Sequence, residues 1–194
     1  ENNIKPSPIL QKNDDKDPFN KLIGANSSLA PIIKLAKSSI LYPGGLHTLL
    51  LGESGVGKSL FAELMYEYGL INNIFPKDSS FVVFNCADYA NNPNLLVSQL
   101  FGSVKGAYTG AESDKRGLIE EANNGVLFLD EIQACPNART ALKTFALDQT
   151  IDVIASGSLL GLYYKEISSY PVGYERVIDM YPLDFEEFLW GIGI

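Results

Sequence analysis

The composition of the chain limits the kinds of protein that it can be. Its 194 residues are 46% hydrophobic, which is enough for one α/β core and too little for two full-sized domains. Fifteen scattered Lys and Arg residues stand against 23 Asp and Glu, so the net charge is −8 and we expect no direct binding of nucleic acid. No apolar run approaches the ~20 residues of a membrane helix and the N-terminus lacks the pattern of a signal peptide, so we expect a cytoplasmic protein without membrane contact.

The residues able to act as nucleophiles or zinc ligands are few and dispersed. The two cysteines, Cys86 and Cys135, belong to no C-x-x-C or Cys/His cluster, and two reduced thiols are the simplest interpretation. The single histidine, His47, precedes an apolar run. A Ser-His or Cys-His mechanism would depend on it alone, and we do not expect one.

The N-terminal part of the chain changes character near residue 18. Residues 1–18 are rich in Pro, Asn, Asp and Lys and predict a flexible linker, which leaves residues 19–194 as one domain. A helix is predicted from Ser27, with a serine pair as its cap and Pro31 in its first turn. Its apolar face would consist of Leu29, Ile32, Ile33, Ala36 and Ile40.

Short apolar segments then alternate with helical ones. Strands are predicted at 47–52, 81–85, 126–130, 151–156 and 176–181, and helices from Lys58 and near 94–101 and 138–148. This alternation predicts an α/β fold of three layers, with a central parallel sheet and helices on both faces. In the helix from Lys58 an apolar set at helical spacing predicts core packing, namely Leu60, Phe61, Leu64, Met65 and Tyr68.

One segment carries a complete phosphate-binding motif. Its sequence GESGVGKS fits G-x-x-x-x-G-K-[ST], follows an apolar strand and opens a helix, which is the context that a P-loop requires; an ordinary Gly-rich turn is the alternative. Backbone N–H groups of such a loop bind phosphate oxygens, Lys58 would reach the β- and γ-phosphates, and the Ser59 hydroxyl would ligate Mg²⁺. We therefore predict that ATP is bound by Gly52, Glu53, Ser54, Gly55, Val56, Gly57, Lys58 and Ser59.

Two carboxylates end a buried strand later in the chain. In VLFLDEI, Asp130 is suited to hold Mg²⁺ through water, and Glu131 to polarise the attacking water. A D-E pair alone is a weak signal, because exposed acidic pairs are common at strand ends. Together with the glycine loop it predicts an ATP-hydrolysing site.

Three further segments resemble a known family. GAYTGA at 106–111, preceded by QLFG at 99–102 and FNCAD at 84–88, is similar to the signature segments of sigma-54-dependent transcription activators, whose loop usually reads GAFTGA. Residues from about 19 to 130 look most like the sugar-system activators of that family. The resemblance implies an AAA+ ATPase that assembles into a ring and acts on the sigma-54 form of bacterial RNA polymerase.

The same resemblance implies roles for individual residues. Asn85 would hold Glu131 away from water until the site is assembled; a plain strand-end cap is its alternative. A mobile loop tip with an exposed aromatic suits a protein contact, and a simple surface turn is the alternative. By resemblance the sigma-contacting loop would consist of Gly106, Ala107, Tyr108, Thr109, Gly110 and Ala111.

After Asp130 the resemblance changes. DEIQ, IASGSLLG and YPLDFEEFLW look like a different group of bacterial AAA-type ATPases, so a mosaic join is predicted near 126–133. No arginine-finger segment is recognised, since only Arg139 and Arg176 follow the acidic pair. Ser156 and Ser158 are candidates for a polar sensor near the γ-phosphate, with Ser158 preferred and a turn-forming serine as the alternative. No lid domain is recognised, and part of an adenine pocket would then be missing or supplied elsewhere.

Three functions follow as hypotheses. The first is an ATP-hydrolysing domain of a regulator that acts on sigma-54 polymerase. The second is a P-loop ATPase of the PLDFEEFL group with another role. The third is a nucleotide-binding module without efficient hydrolysis.

Overall fold

A five-stranded sheet organises the computed structural model, which describes residues 16–104, 113–135, 151–158 and 175–193. All pairings within the sheet are parallel and the strand order is β2-β3-β4-β1-β5. The strands are β1 His47–Leu51, β2 Phe81–Asn85, β3 Val126–Asp130, β4 Asp152–Gly157 and β5 Glu175–Asp179. The predicted parallel sheet is confirmed: β2 and β3 have the predicted bounds, and the ends of the other three strands differ from them by one or two residues.

Five helices are present within the described residues. They are α1 Ala30–Ile40, α2 Lys58–Ile71, α3 Pro93–Phe101, α4 Leu118–Ala122 and α5 Phe185–Gly191. The helix predicted near 138–148 lies outside the described residues. In this part of the chain, every helix is too short or too polar to cross a lipid bilayer.

The sheet buries apolar side chains on both faces, because successive strand residues point to opposite sides. On one face the strand residues pack with side chains of α3 and α4: Leu49, Val82, Phe84, Leu127, Leu129, Val153 and Ala155 with Leu96, Leu100 and Ala122. On the other they pack with α1 and α2: Leu50, Val126, Phe128, Ile154 and Ile178 with Ile33, Ala36, Phe61, Leu64 and Met65. The predicted three-layer arrangement is therefore confirmed.

Two details of the predicted helices are wrong. α1 begins at Ala30 and has no side-chain cap, because Ser27 donates to the Gly24 carbonyl and Ser28 to the Glu187 carboxylate. In α2, Leu60 is 50% exposed rather than part of the core. Helical spacing places it at the edge of the apolar face, where the neighbouring elements leave a cavity.

The folded part of the chain begins slightly before the predicted boundary. Asp17 accepts a hydrogen bond from the Phe19 N–H and forms an ion pair with Lys37, and Pro18 is buried. Phe19 is 1% exposed and its ring lies 5.3 Å from that of Phe61. Asp17 and Pro18 therefore belong to the domain, whereas residues 1–15 lie outside the described part.

The two portions on either side of the predicted join form one sheet. β4 follows the predicted join in sequence, yet it lies between β3 and β1 in the sheet. β1 precedes the join, and β3 lies at the join. Each of these neighbours is hydrogen-bonded to β4 along four residues. The two portions cannot be separated without exposing both edges of β4.

His47 is buried at the start of β1 and is expected to make folding sensitive to pH. Its Nδ1 accepts from the Val153 N–H at 3.1 Å, while its buried Nε2 has no hydrogen-bond partner among the described residues. Burial lowers the pKa of His47 from 6.5 to about 4. Between these values the unfolded chain binds more protons than the folded one, so acidification through this range costs stability.

We predict that His47→Asn, which keeps an acceptor near the Val153 N–H, removes this dependence. The free energy of unfolding of the wild type minus that of the variant should rise between pH 4 and 6.5, by on the order of 2 kcal/mol, and stay level above pH 7. Urea unfolding at a series of pH values measures it. A difference that does not vary with pH would contradict the neutral, buried imidazole.

Candidate nucleotide-binding site

The loop between β1 and α2 has a backbone that only glycine permits at its key points. Gly55 and Gly57 have φ of +85° and +89°, in the left-handed region. A Cβ on Gly52 would lie 2.4 Å from the Met180 carbonyl oxygen, so any side chain there would displace the end of β5. These constraints explain three of the glycines in the phosphate-binding motif.

The start of α2 presents free backbone donors. The first hydrogen bond of the helix runs from the Phe61 N–H to the Gly57 carbonyl at 2.9 Å. The N–H groups of Lys58, Ser59 and Leu60 precede it and have no intrahelical acceptor. With the positive end of the helix dipole, they form a site suited to an anion.

The Lys58 side chain lies within the loop. It is 7% exposed, and its Nζ donates to the carbonyl oxygens of Gly52 at 3.0 Å and Glu53 at 2.7 Å. These bonds keep a positive charge beside the helix start. Because both partners are neutral carbonyls, the charge remains uncompensated within its immediate contacts and available to a phosphate group.

A cavity of about 240 Å³ joins the loop to the two acids. Its walls bring together residues far apart in sequence: Ser54, Gly55, Gly57, Lys58, Ser59, Leu60, Asp130 and Glu131. Two other motif residues, Glu53 and Val56, line a neighbouring cavity. Most of the residues that the sequence assigns to phosphate and metal binding thus line these two cavities, whereas Gly52 and Ser158 line neither.

Asp130 is held by the neighbouring strand. Ser156 of β4 is fully buried, and its hydroxyl donates to Asp130 Oδ1. The Glu131 N–H donates to the same oxygen at 3.1 Å. Of the two serines considered as sensors, Ser156 contacts the acid, while the described contact of Ser158 is a backbone N–H donated to Gln133 at 3.3 Å.

Glu131 occupies an unusual backbone conformation. Its φ of +53° and ψ of +45° are left-handed, which costs a non-glycine residue on the order of 1 kcal/mol. A 3₁₀ turn at Ile132–Ala134 follows, and Gln133 Nε2 donates to the Glu131 carboxylate. No feature of composition or spacing signals this conformation, which directs the side chain into the cavity.

Asn85 adopts the capping role that was its alternative. Its Oδ1 accepts from the Ala87 N–H at 2.9 Å and caps the turn Cys86–Tyr89. It is the register partner of Asp130 on the adjacent strand, but within the described residues it makes no hydrogen bond to Glu131. Gln133, which the sequence reasoning missed, makes that contact instead.

The donor set fits magnesium better than a metal held by protein alone. Among the described residues no group of three or more His, Cys, Asp or Glu could hold a metal ion. Mg²⁺ usually retains several waters and binds through one or two protein oxygens and the substrate phosphates. Ser59 and Asp130, both on the 240 Å³ cavity, are suited to that pattern.

The two cysteines lie beside the site as buried thiols. Neither forms a disulfide, and Cys135 donates through Sγ to the Cys86 carbonyl at 3.2 Å. Burial, and secondarily the proximity of Cys135, raise the pKa of Cys86 to about 12. Cys86 is therefore a neutral thiol at physiological pH and is not suited to bind a metal or attack a substrate.

A second cavity of about 680 Å³ lies on the other side of the loop. Its apolar walls come from the segment before α1, including Leu22, Ile23 and Leu29, and from the chain after β5, including Met180 and Leu183. It shares Ser54, Gly55, Gly57 and Leu60 with the smaller cavity. This volume lies within the range of small-molecule sites.

Glu187 fixes the wall that the chain after β5 contributes. It is 5% exposed, accepts from the Ser28 hydroxyl, and forms a reciprocal capping box with Asp184 at the start of α5. These bonds hold α5 against the segment that precedes α1. That part of an adenine pocket is missing or supplied elsewhere stays a prediction.

Several sequence-predicted residues lie elsewhere or outside the described part. The six residues 106–111 and Arg139 lie outside it. The described chain before and after residues 106–111 is joined where Ser103 and Lys115 exchange backbone hydrogen bonds of 2.9 and 2.8 Å. Arg176 lies early in β5 opposite Thr48, whereas the phosphate loop follows the far end of β1.

Two solved structures share the fold. A crystal structure of NtrX from Brucella abortus aligns with a TM-score of 0.58 and 20% sequence identity. The alignment covers 88% of this chain and 39% of the NtrX chain. A second NtrX structure from the same organism, in complex with ADP, aligns with a TM-score of 0.58 and 19% sequence identity. This alignment covers 86% of this chain and 38% of the NtrX chain. At such identities the likeness concerns the fold alone.

Sequence relatives are much longer proteins. Transcriptional regulatory protein LevR of Bacillus subtilis is 52% identical over 121 residues, which are 62% of this chain and 13% of LevR. DagR of Salmonella typhimurium is 49% identical over 118 residues, or 60% of this chain and 12% of DagR. A Nif-specific regulatory protein of Azospirillum lipoferum is 32% identical over 163 residues, or 83% of this chain and 24% of the regulator.

A family model described as "Sigma-54 interaction domain" matches residues 22–151. The match continues beyond the predicted join near 126–133, and the likeness of later residues to a second group of ATPases stays a prediction. The matched range contains the phosphate loop and both acids and covers more than half of the chain. The chain therefore belongs to the sigma-54 interaction domains, the AAA+ domains of transcriptional regulators.

Proposed function

We propose that this domain binds ATP with Mg²⁺, hydrolyses it, and acts on the sigma-54 form of bacterial RNA polymerase. One observation supports the proposal most directly. The cavity of about 240 Å³ has an anion-binding helix start and a lysine on one side and two carboxylates on the other. This is the arrangement that transfer of a phosphoryl group to water requires.

The described residues divide the work of hydrolysis. The N–H groups at the start of α2 and the Lys58 ammonium would bind the phosphates. Ser59 and Asp130 would hold Mg²⁺, which supplies charge neutralisation on the phosphate oxygens. Glu131 would accept the proton of the attacking water, since its carboxylate lines the cavity and is fixed by Gln133.

The larger cavity suits the nucleoside half of the ligand. It adjoins the phosphate loop and its apolar lining matches the faces of a purine ring. Met180 and Leu183 would supply one wall of the pocket around the base. The bound base would then contact both the segment before α1 and the chain after β5.

A source of positive charge at the transferring phosphate is also needed for efficient hydrolysis. Among the described residues no arginine lines the smaller cavity. We propose that a neighbouring copy supplies one, which requires self-association into a ring. The second candidate function is a domain that binds ATP but hydrolyses it slowly when alone. The lack of an arginine on the described lining of the smaller cavity favours this candidate for the isolated chain.

The proposed partner rests on family membership and on the GAYTGA segment. The bridge between Ser103 and Lys115 holds the described chain before and after this segment together. Gly106, Ala107, Tyr108, Thr109, Gly110 and Ala111 would contact sigma-54. A partner that acts at promoters implies a cytoplasmic location for the protein.

We predict that Lys58→Ala weakens Mg-ATP binding at least 100-fold while leaving the fold intact. The reason is that the variant removes the ammonium beside the phosphates and leaves the apolar clusters unchanged. Calorimetry measures affinity and circular dichroism the fold, with the exposed Lys77→Ala as the matched control. An unchanged affinity for Lys58→Ala would contradict the assignment of the site.

Glu131→Gln is expected to lower ATP turnover about 10²- to 10⁴-fold, because an amide cannot accept the proton of the attacking water. Affinity for Mg-ATP should change less than about threefold, since no phosphate contact is lost. Steady-state phosphate release measures the rate, and Glu63→Gln on the exposed face of α2 is the control. Equal rates in the wild type and Glu131→Gln would show that Glu131 is not the base.

Purified sigma-54 should retain the chain in a pull-down when an ATP transition-state mimic is present, and lose it when nucleotide is omitted. Thr109→Ala should reduce retention about tenfold or more, because the predicted contact loop is altered. An intact activator serves as the positive control. Failure to retain this chain under conditions that retain the intact activator would refute the proposed partner.

A further inference from the structure

Gln133 lies between the hydrolytic acid and the end of β4. Its Nε2 donates to the Glu131 carboxylate, and its Oε1 accepts from the Ser158 backbone N–H at 3.3 Å. Ser158 directly follows β4, which ends at Gly157. One side chain thus links the acid on the β3 side of the cavity to the adjacent strand.

The chemistry of the two partners fixes the orientation of the Gln133 amide. An ionised carboxylate can only accept a hydrogen bond, and a backbone N–H can only donate one. The amide must therefore turn its nitrogen to Glu131 and its oxygen to Ser158. A reversed amide would face two like groups and lose both bonds.

The backbone that carries Gln133 is firmly held. Ile132, its neighbour, is fully buried, and the Ala134 N–H donates to the Glu131 carbonyl at 2.9 Å. The turn ends at Cys135, whose Sγ donates to the Cys86 carbonyl. Because both ends of the turn are held by these bonds, the Gln133 side chain restricts the orientation of the Glu131 carboxylate that it binds.

Asn85 makes a different contact. Its Oδ1 accepts from the Ala87 N–H at 2.9 Å, as the cap of the turn after β2. A carboxylate needs a donor, and the described donor to Glu131 is the Gln133 amide. The geometry therefore favours Gln133 over the residue that the family resemblance suggests.

We propose that Gln133 is the positioning residue for Glu131, holding the carboxylate in the orientation used for hydrolysis and tying it to the end of β4. This inference rests on the proposed ATP hydrolysis. Asp130 is tied to the same strand by the Ser156 hydroxyl. β4 thereby sets the direction of both acids, one through a serine and the other through a glutamine.

Steady-state kinetics on the full chain test the role in turnover. Gln133→Ala should lower kcat about tenfold or more, because the carboxylate would sample several rotamers, and should change KM for Mg-ATP less than about twofold. Gln99→Ala is the matched control, since Gln99 is bonded to Lys115 on the surface. A kcat that is unchanged or raised in Gln133→Ala would overturn the proposal.

A measurement without nucleotide tests the contact itself. The side-chain amide signals of Gln133 in a ¹⁵N-labelled protein, identified by their loss in Gln133→Ala, should move in Glu131→Ala and stay in place in Asn85→Ala. Signals that do not respond to Glu131→Ala, or that respond only to Asn85→Ala, would overturn the inference. A wild type that binds ATP but shows no turnover would refute the hydrolysis proposal, whereas the amide signals decide the contact independently.

Discussion

The position of β4 between β1 and β3 determines the geometry of the candidate site. β1 leads into the phosphate loop and β3 into the two acids, so the strand between them sets the distance across the smaller cavity. β4 also supplies the buried Ser156 hydroxyl that binds Asp130. A strand that follows the predicted join in sequence is thus indispensable to a site built mostly from residues that precede it. This arrangement favours one cooperative unit over two joined parts.

The features that could be predicted are local in sequence. The strands appear as contiguous apolar runs, and the phosphate loop is a continuous motif in which glycines are required by the backbone. The features that could not be predicted depend on distant partners. Ser28 is used by Glu187, 159 residues away, so the serine cap expected for α1 does not form. The contact between Ser156 and Asp130 spans 26 residues and two strands, and no spacing rule indicates it.

The acid at the centre of the proposed chemistry shows where sequence reasoning ends. A D-E pair after a buried strand correctly indicates two carboxylates at one edge of the sheet. It does not indicate that Glu131 adopts a left-handed backbone or that Gln133 binds it. Both depend on the short turn that follows, whose form is fixed by burial of Ile132. Strain at such a position is maintained because the surrounding packing leaves the turn no alternative.

The larger cavity has walls from three separate stretches: the segment before α1, the phosphate loop, and the chain after β5. None of these stretches forms a concave surface alone, so the unfolded chain offers nothing comparable to a ligand. A ligand of this cavity would bind the native state only, and it would stabilise the whole domain by an amount set by the ratio of its free concentration to its dissociation constant. At a ligand concentration one hundred times its dissociation constant, this linkage would amount to about 2.7 kcal/mol. Ligand binding would thereby couple the folding of the segment before α1 to the folding of the chain after β5.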